Sequence, residues 1–187
     1  ALFNYQKPLL YALSSTLKIS FKVFTVSLVL KKVLSTFCDS ELLLPWSRDN
    51  YQKPKISSTR NTIIFWGFIN DRLDFDIISN LASRLLSENI DYKLLFIGPN
   101  NCSKSSLSVF SSHSNLVLQG PTTLDDINFD TVFASIIPYK PNIKEVEATT
   151  IPNKALPLLS KGIPLVVSGM PSIIDLPFIY HLHNDTK

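Results

Sequence analysis

The chain is poor in cysteine and contains no long, uninterrupted hydrophobic run. Its 187 residues include only 2 cysteines, Cys38 and Cys102, which are far apart and fit no metal-ligand spacing. Such sparse cysteine argues against a disulfide scaffold and suits a reducing cytosol. Lys7, Lys18 and Lys22 interrupt the apolar amino-terminal stretch. The sequence therefore predicts neither a membrane-spanning helix nor a secretory signal peptide there.

Several well-known motifs of nucleotide and metal chemistry are also absent. The chain has no Walker loop, no dinucleotide-binding glycine fingerprint, no zinc spacing and no nucleophile elbow. The 3 histidines are scattered, and two on one strand without a third ligand do not indicate a metal site. The net charge of +3 suits a phosphate-bearing ligand or an anionic membrane. It lacks the clustered Lys and Arg of a nucleic-acid interface, so no nucleic-acid partner is predicted.

The hydrophobic content of 45% is sufficient for a packed core, and periodicity divides the chain into two regions. The first region is predicted to contain a helix over 5–18, a strand over 21–26, a helix from the cap Ser27 to about Phe37, and a strand over 41–45. Residues 47–61 are polar and aperiodic, which indicates a linker.

The second region alternates strands with helices across short loops. Strands are predicted over 62–66, 92–97, 116–118, 131–137, 165–167 and 178–181, helices over 74–88, 103–111 and 152–159, and a helical turn over 123–127. This alternation predicts a parallel, doubly wound sheet, in which ligands bind at the carboxyl ends of the strands, at the topological switch point.

A segment near the end of the chain is suited to binding an anion. Thr149 and Thr150 are predicted to lie just before the helix over 152–159, with Asn153 and Lys154 in its first turn. The start of a helix favours anionic groups such as a diphosphate. An ordinary capped helix packed on a strand explains the same residues equally well, so the residues alone leave both interpretations open.

The second region also carries a series of short motifs in a fixed order. These are WGFINDRLD at 66–74, LFIGP at 95–99, NLVLQGP at 115–121, FDTVFASIIPY at 129–139 and NKALPLLSKGIPLVV at 153–167. In this order they resemble family-4-like GT-B glycosyltransferases (glycosyl transferases group 1). Residues 24–27 and 42–45 are similar to the closing strand–helix–strand of the amino-terminal domain in that family.

The resemblance implies a fold and a division into domains. The fold would be α/β, a Rossmann-like doubly wound parallel sheet with a partial second domain. Residues 1–50 would be the end of the amino-terminal, acceptor-side domain, 51–61 a linker, and 62–187 the nucleotide-sugar-binding domain without its last helices. Most of the acceptor-binding part would lie upstream.

The resemblance also implies a function and a donor site. The enzyme would transfer a sugar from a UDP- or GDP-sugar to a saccharide or lipid-linked acceptor in bacterial surface polysaccharide synthesis. It would be cytoplasmic and need no metal or other cofactor. Its catalytic residues are not assigned, and this stretch alone is expected to bind a nucleotide without turnover. The implied donor-binding residues are Gly67, Phe68, Arg72, Gly98, Pro99, Gly120, Pro138, Tyr139, Thr149, Thr150, Asn153 and Lys154.

The chain departs from the family pattern at two positions that usually hold glutamates. Thr149 and Pro157 stand there, and neither offers a carboxylate. Either the donor is held differently, or the domain is an inactive homologue that serves as a binding or partner subunit. A sugar-nucleotide epimerase of the same architecture is a third alternative.

Lysines interleaved with apolar residues, at positions 18, 22, 31 and 32, also permit peripheral contact with the inner face of an anionic membrane.

Overall fold

The computed structural model describes residues 7–45 and 60–182. The predicted helix start at residue 5, most of the predicted linker 51–61, and the last residues of the predicted donor domain, 183–187, lie outside these ranges. The elements in chain order are α1 (Lys7–Ile19), β1 (Phe24–Thr25), α2 (Leu28–Leu34), β2 (Glu41–Leu42), β3 (Thr62–Trp66), α3 (Phe75–Ser87), β4 (Lys93–Ile97), α4 (Lys104–Ser112), β5 (Leu116–Gln119), β6 (Val132–Pro138), α5 (Lys144–Glu147), α6 (Ala155–Ser160), β7 (Leu165–Ser168) and β8 (Ile179–His181). Two 3₁₀ turns, Leu124–Asp126 and Phe129–Thr131, precede β6.

The described region after residue 60 is built on a six-stranded sheet with the order β5-β4-β3-β6-β7-β8. Every neighbouring pair in it is parallel. The chain moves outward from β3 through β4 to β5, and then returns to the other side of β3 to form β6. The predicted α/β class and the doubly wound parallel sheet are therefore confirmed.

Helices cover both faces of this sheet, which explains why its strands are nearly continuous apolar runs. Phe65 of β3 packs with Phe75 and Ile78 of α3 on one face. The adjacent Ile64 packs with Leu158 of α6 on the opposite face. Asp74 caps α3 because its side-chain Oδ1 accepts hydrogen bonds from the backbone amides of Asp76 and Ile77.

The helix predicted over 152–159 begins later than expected, at Ala155. Pro157 explains the shift. Proline has no amide hydrogen, so it is tolerated only in the first turn of a helix, where amides have no helical partner. A start at Pro152 would have placed Pro157 in the helix interior. Thr149 and Thr150 consequently do not adjoin this helix, and Asn153 and Lys154 precede it instead of forming its first turn.

One short element was missed, and two others are shorter than predicted. Helix α5 is not predicted from the sequence, because its single turn of four residues is too short to show helical periodicity. The strands predicted over 21–26 and 41–45 contain two residues each, and their ladder joins Phe24 to Glu41 and Thr25 to Leu42.

The amino-terminal unit, formed by α1, β1, α2 and β2, contacts the larger sheet domain through the start of α2. Ser27 caps this helix, and its hydroxyl donates to the carbonyl oxygen of Ala148 at 2.6 Å. The backbone amide of Leu28 donates to the hydroxyl oxygen of Thr150 at 2.7 Å. Since these partners lie beside the carboxyl edge of the sheet, the amino-terminal unit is held against that edge.

Candidate functional site

A large cleft opens at the carboxyl ends of β3 and β6, the two central strands where the direction of winding reverses. Its volume is about 1270 Å³, ample for a small organic ligand. The walls come from four places: the end of β3 and the loop after it, Tyr139 after β6, the segment from α5 to α6, and Val26 with Ser27. The cleft therefore occupies the switch point at which doubly wound sheets bind ligands.

Two glycines allow close packing beside the cleft, where β3 and β4 end. Gly98 has a φ of +149°, and a Cβ on it would lie 2.0 Å from the carbonyl oxygen of Gly67. A Cβ on Gly67 would lie 2.6 Å from the Lys154 ammonium nitrogen. The absence of both side chains lets the two strand ends approach closely and leaves space for Lys154.

Lys154 is the most perturbed titratable group in the described part of the cleft. Its half-buried side chain directs the ammonium over the ring of Phe65, 4.1 Å from the ring centroid. The ammonium also donates to the hydroxyl of Tyr139 at 3.2 Å. Removal from water lowers the pKa of Lys154 from its ordinary 10.5 to about 8. Among the described residues, no carboxylate contributes to this shift.

Two other ionisable groups define the cleft wall. Burial raises the pKa of the Tyr139 hydroxyl, so Tyr139 is a neutral donor and acceptor at physiological pH. Asp71 is exposed, and hydrogen bonds from the Ser106 side chain and the Ser103 backbone lower the pKa of its carboxyl. These bonds tie the loop after β3 to the start of α4. Arg72, next in the same loop, is exposed to solvent at the cleft.

The segment before α6 forms the opposite wall. The Thr149 hydroxyl donates to the carbonyl oxygen of Glu145 at 2.8 Å, which closes the turn after α5. Thr150 is buried, with 1% of its surface exposed, and its hydroxyl oxygen accepts the Leu28 amide. The hydrogen bond to Leu28 gives Thr150 a structural role in addition to its place on the wall.

The structure brings most of the predicted site residues into this one cleft. Those that line it are Gly67, Phe68, Arg72, Tyr139, Thr149, Thr150, Asn153 and Lys154. Those that do not line it lie along the same edge of the sheet, at the end of β6 or just after β4 and β5: Gly98, Pro99, Gly120 and Pro138. The assignment of all twelve residues to donor binding stays a prediction.

Several cleft residues were not among the predicted ones, notably Val26, Ser27, Asn70 and Glu145. Val26 and Ser27 are more than 100 positions from Ala148 in sequence, and no local pattern connects them. Glu145 lies between the motifs at 129–139 and 153–167, and so outside the residues on which the predicted site rests. The two positions where the resembled family usually has glutamates, Thr149 and Pro157, do line the cleft.

Neither a metal cluster nor a membrane-spanning helix occurs in the described ranges. Within residues 7–45 and 60–182, no group of three His, Cys, Asp or Glu side chains is arranged to hold a metal ion. No helix in the same ranges is both long and apolar enough to cross a bilayer.

Comparison with solved structures shows that the chain shares the fold of GT-B glycosyltransferases. The chain is similar to TarM (TM-score 0.61, 12% identity, covering 94% of this chain and 36% of that one). It is also similar to the GtfA/B complex (TM-score 0.64, 11% identity, 93% and 37%). A third similar structure is the lipopolysaccharide outer core galactosyltransferase WaaB in its apo form (TM-score 0.55, 12% identity, 86% and 45%).

These similarities establish the fold, since the identities are low. The chain spans less than half the length of each of the three structures. No protein-family model and no curated protein sequence matches it.

Proposed function

We propose that the cleft binds the nucleoside-diphosphate part of a sugar donor, and that the chain is the donor-binding part of a glycosyltransferase. The observation that best supports the proposal is the position of Lys154. A lysine withdrawn from water with no carboxylate partner among the described residues destabilises the fold unless an anion binds to it. A diphosphate at the switch point would provide that anion.

The surrounding groups suit the other parts of such a donor. Arg72 is a second, permanently charged cation that can pair with phosphate oxygens. The Tyr139 hydroxyl can exchange hydrogen bonds with a phosphate or a sugar. Phe68 is 61% exposed on the cleft wall, and its ring can stack on a base or on the apolar face of a sugar. In this proposal, Lys154 and Arg72 stabilise the diphosphate leaving group without a bound metal.

The proposed reaction is transfer of the sugar from a UDP- or GDP-linked donor to a saccharide or lipid-linked acceptor in surface polysaccharide synthesis. The whole protein would be bacterial and cytoplasmic. Peripheral membrane contact is part of the proposal because α2 exposes Leu28, Leu30 and Val33 beside Lys31 and Lys32. Co-sedimentation with anionic and with neutral vesicles would test that contact.

A second candidate is a homologue that binds a nucleotide without transferring a sugar. Thr149 and Pro157 favour it, because they leave the cleft without carboxylates at the family's usual positions. Among the described residues no histidine lines the cleft, so the epimerase alternative has no comparable support.

Calorimetric titration with UDP, GDP and their common sugar conjugates tests the proposed binding. We expect one nucleotide series to bind, and Lys154→Ala to weaken it by on the order of 10- to 100-fold, the range for a charge-assisted hydrogen bond. Lys93→Ala is the matched control, because Lys93 begins β4 at the opposite edge of the sheet. The proposal fails if a folded protein binds no nucleotide, or if the two variants weaken binding equally.

A further inference from the structure

Asp71 places a carboxylate at a cleft that is proposed to bind an anion, and the start of α4 holds this carboxylate. Its Oδ1 accepts hydrogen bonds from the hydroxyls of Ser106 at 2.7 Å and Ser103 at 3.2 Å. The backbone amide of Ser103 lies 3.3 Å from each of the two carboxylate oxygens. The bond from the Ser106 side chain, and then those from Ser103, lower the pKa of the Asp71 carboxyl. The group is therefore ionised at neutral pH.

The charges of Asp71 and Arg72 act on different neighbours, although the two residues are adjacent in sequence. Within the described ranges, no ion pair joins Arg72 to a carboxylate. The positive charge that adds to the lowering of the Asp71 pKa is that of Lys140. The charge of Arg72 acts instead on Tyr139, where it partly offsets the rise in pKa that burial causes. The carboxylate is thus directed at α4, and the guanidinium charge is directed at the cleft.

The main chain at Arg72 is held by bonds that do not involve the Asp71 side chain. The Asn70 side-chain oxygen accepts the Arg72 amide at 3.0 Å. The Arg72 carbonyl oxygen accepts the Lys140 amide at 2.9 Å. Loss of the bonds between Asp71 and α4 would therefore release a charged side chain and leave the backbone of Arg72 in place.

We propose that Ser103 and Ser106 are positioning residues that hold the Asp71 carboxylate on α4 and so keep the Arg72 guanidinium available to phosphate. This inference rests on the proposed donor-binding function. A carboxylate released from α4 would be free to pair with the adjacent Arg72, and a paired guanidinium has fewer donors left for a ligand. The released carboxylate would also repel the phosphates. The two serines thus affect the donor through Asp71 and Arg72 without touching the donor.

The test compares Ser106→Ala with Ser108→Ala by calorimetry. Ser106→Ala removes the shortest bond to Asp71 and leaves the Ser103 cap of α4 in place. Ser108 is the matched control, because it lies on the same helix and its hydroxyl donates to the carbonyl oxygen of Ser105. The ligands are UDP, GDP and inorganic pyrophosphate. We expect Ser106→Ala to weaken binding of the preferred nucleotide and of pyrophosphate by roughly 3- to 5-fold, near the upper limit for a solvent-exposed ion pair. Ser108→Ala should bind like the wild type.

Two further backgrounds show whether Ser106 acts through the charge of Asp71 and through Arg72. Asp71→Asn keeps the shape of the side chain without its charge, and adding Ser106→Ala to it should not change the affinity further. Arg72→Ala should have a lower affinity at the outset, and adding Ser106→Ala to it should also have no further effect. A merely structural role of Ser106 would reduce the affinity by the same factor in every background.

The inference is overturned if Ser106→Ala binds as tightly as Ser108→Ala, or if its effect persists in the Asp71→Asn or the Arg72→Ala background. Nucleotide binding by the wild type would leave the proposed function standing in each of these cases. A wild-type protein that binds neither nucleotide nor pyrophosphate overturns the proposed function and this inference together.

Discussion

Lys154 shows how a single residue can cost stability and still serve a binding site. Its ammonium nitrogen contacts an aromatic face and one hydroxyl, and these replace only part of its hydration. In the folded chain its pKa is about 8, against an ordinary 10.5. Below the folded pKa, the folded state carries a poorly solvated charge that the unfolded state solvates freely.

We expect Lys154→Met to increase the free energy of unfolding at pH 7 by about 1 to 3 kcal/mol, because the penalty of the buried charge disappears. Between pH 8 and 10.5 the unfolded wild-type chain holds more protons than the folded one, so wild-type stability rises with pH. The advantage of the methionine variant should therefore shrink over this range. Urea unfolding at pH 7 and pH 10 measures both effects. A variant less stable than the wild type at pH 7 would contradict the account.

The protonation state of Lys154 should also control the affinity for the anionic donor. The charged form of Lys154 predominates below pH 8, so affinity for a UDP- or GDP-sugar should be level at lower pH and fall as the pH rises above about 8. A sugar conjugate is the suitable probe because it has no terminal phosphate group that titrates near neutrality. Lys154→Met should bind weakly without this pH dependence. Wild-type affinity that stays constant from pH 7 to pH 10 would exclude the proposed role of the ammonium.

Gly98 and Gly120 lie at the ends of neighbouring strands but have different steric surroundings. A Cβ at Gly98 would meet the Gly67 carbonyl at 2.0 Å, whereas nothing lies within 4 Å of a Cβ at Gly120. We expect Gly98→Ala to reduce the free energy of unfolding by about 2 to 4 kcal/mol, and Gly120→Ala to change it by less than about 0.5 kcal/mol. Thermal and urea unfolding of both variants measure the difference. Equal destabilisation by Gly98→Ala and Gly120→Ala would contradict the close approach of the ends of β3 and β4.

At the scale of elements, the strands of the main sheet were predictable and the short helices were not. The four central strands β3, β4, β6 and β7 are runs of largely apolar, mostly buried residues, and this signal is local. The start of α6 depends on how the chain accommodates Pro157 inside a turn. The one-turn α5 depends on Val146 finding a place in the core. The proline effect is local but is not part of apolar periodicity, and the burial of Val146 is tertiary, so periodicity alone could reveal neither.

The attachment of α2 to the cleft wall rests on a few identifiable hydrogen bonds. Thr150→Val removes the acceptor of the Leu28 amide while keeping the shape of the side chain. We expect a loss of about 1 to 2 kcal/mol in the free energy of unfolding, because a part-buried amide loses its partner. Hydrogen exchange at the start of α2 should become faster.

Thr36→Val is the control for Thr150→Val. The Thr36 hydroxyl donates a solvent-exposed hydrogen bond to the carbonyl oxygen of Val33, within the same amino-terminal unit. Thr36→Val should leave exchange at the start of α2 unchanged. Identical exchange at the Leu28 amide in the wild type and in Thr150→Val would show that this bond does not hold the helix in place.

For the whole molecule, the fold and the edge that carries the cleft were predictable from sequence, but the composition of the cleft was only partly so. Motif order correctly indicated a doubly wound GT-B architecture. It identified Lys154, Arg72 and Tyr139, which stand in the motifs themselves. It could not identify Ser27, which reaches the cleft from the amino-terminal unit. It also could not identify Glu145, which lies outside the motifs on the one-turn helix α5.

The central claim is that a nucleotide occupies the cleft between β3 and β6, and a map of backbone amide chemical shifts during addition of UDP or GDP tests it most directly. The account predicts the largest changes at residues 67–72 and 149–154, with little change in the groove at residues 168–175. Changes concentrated in that groove, or saturating nucleotide with no change at the cleft, would contradict it.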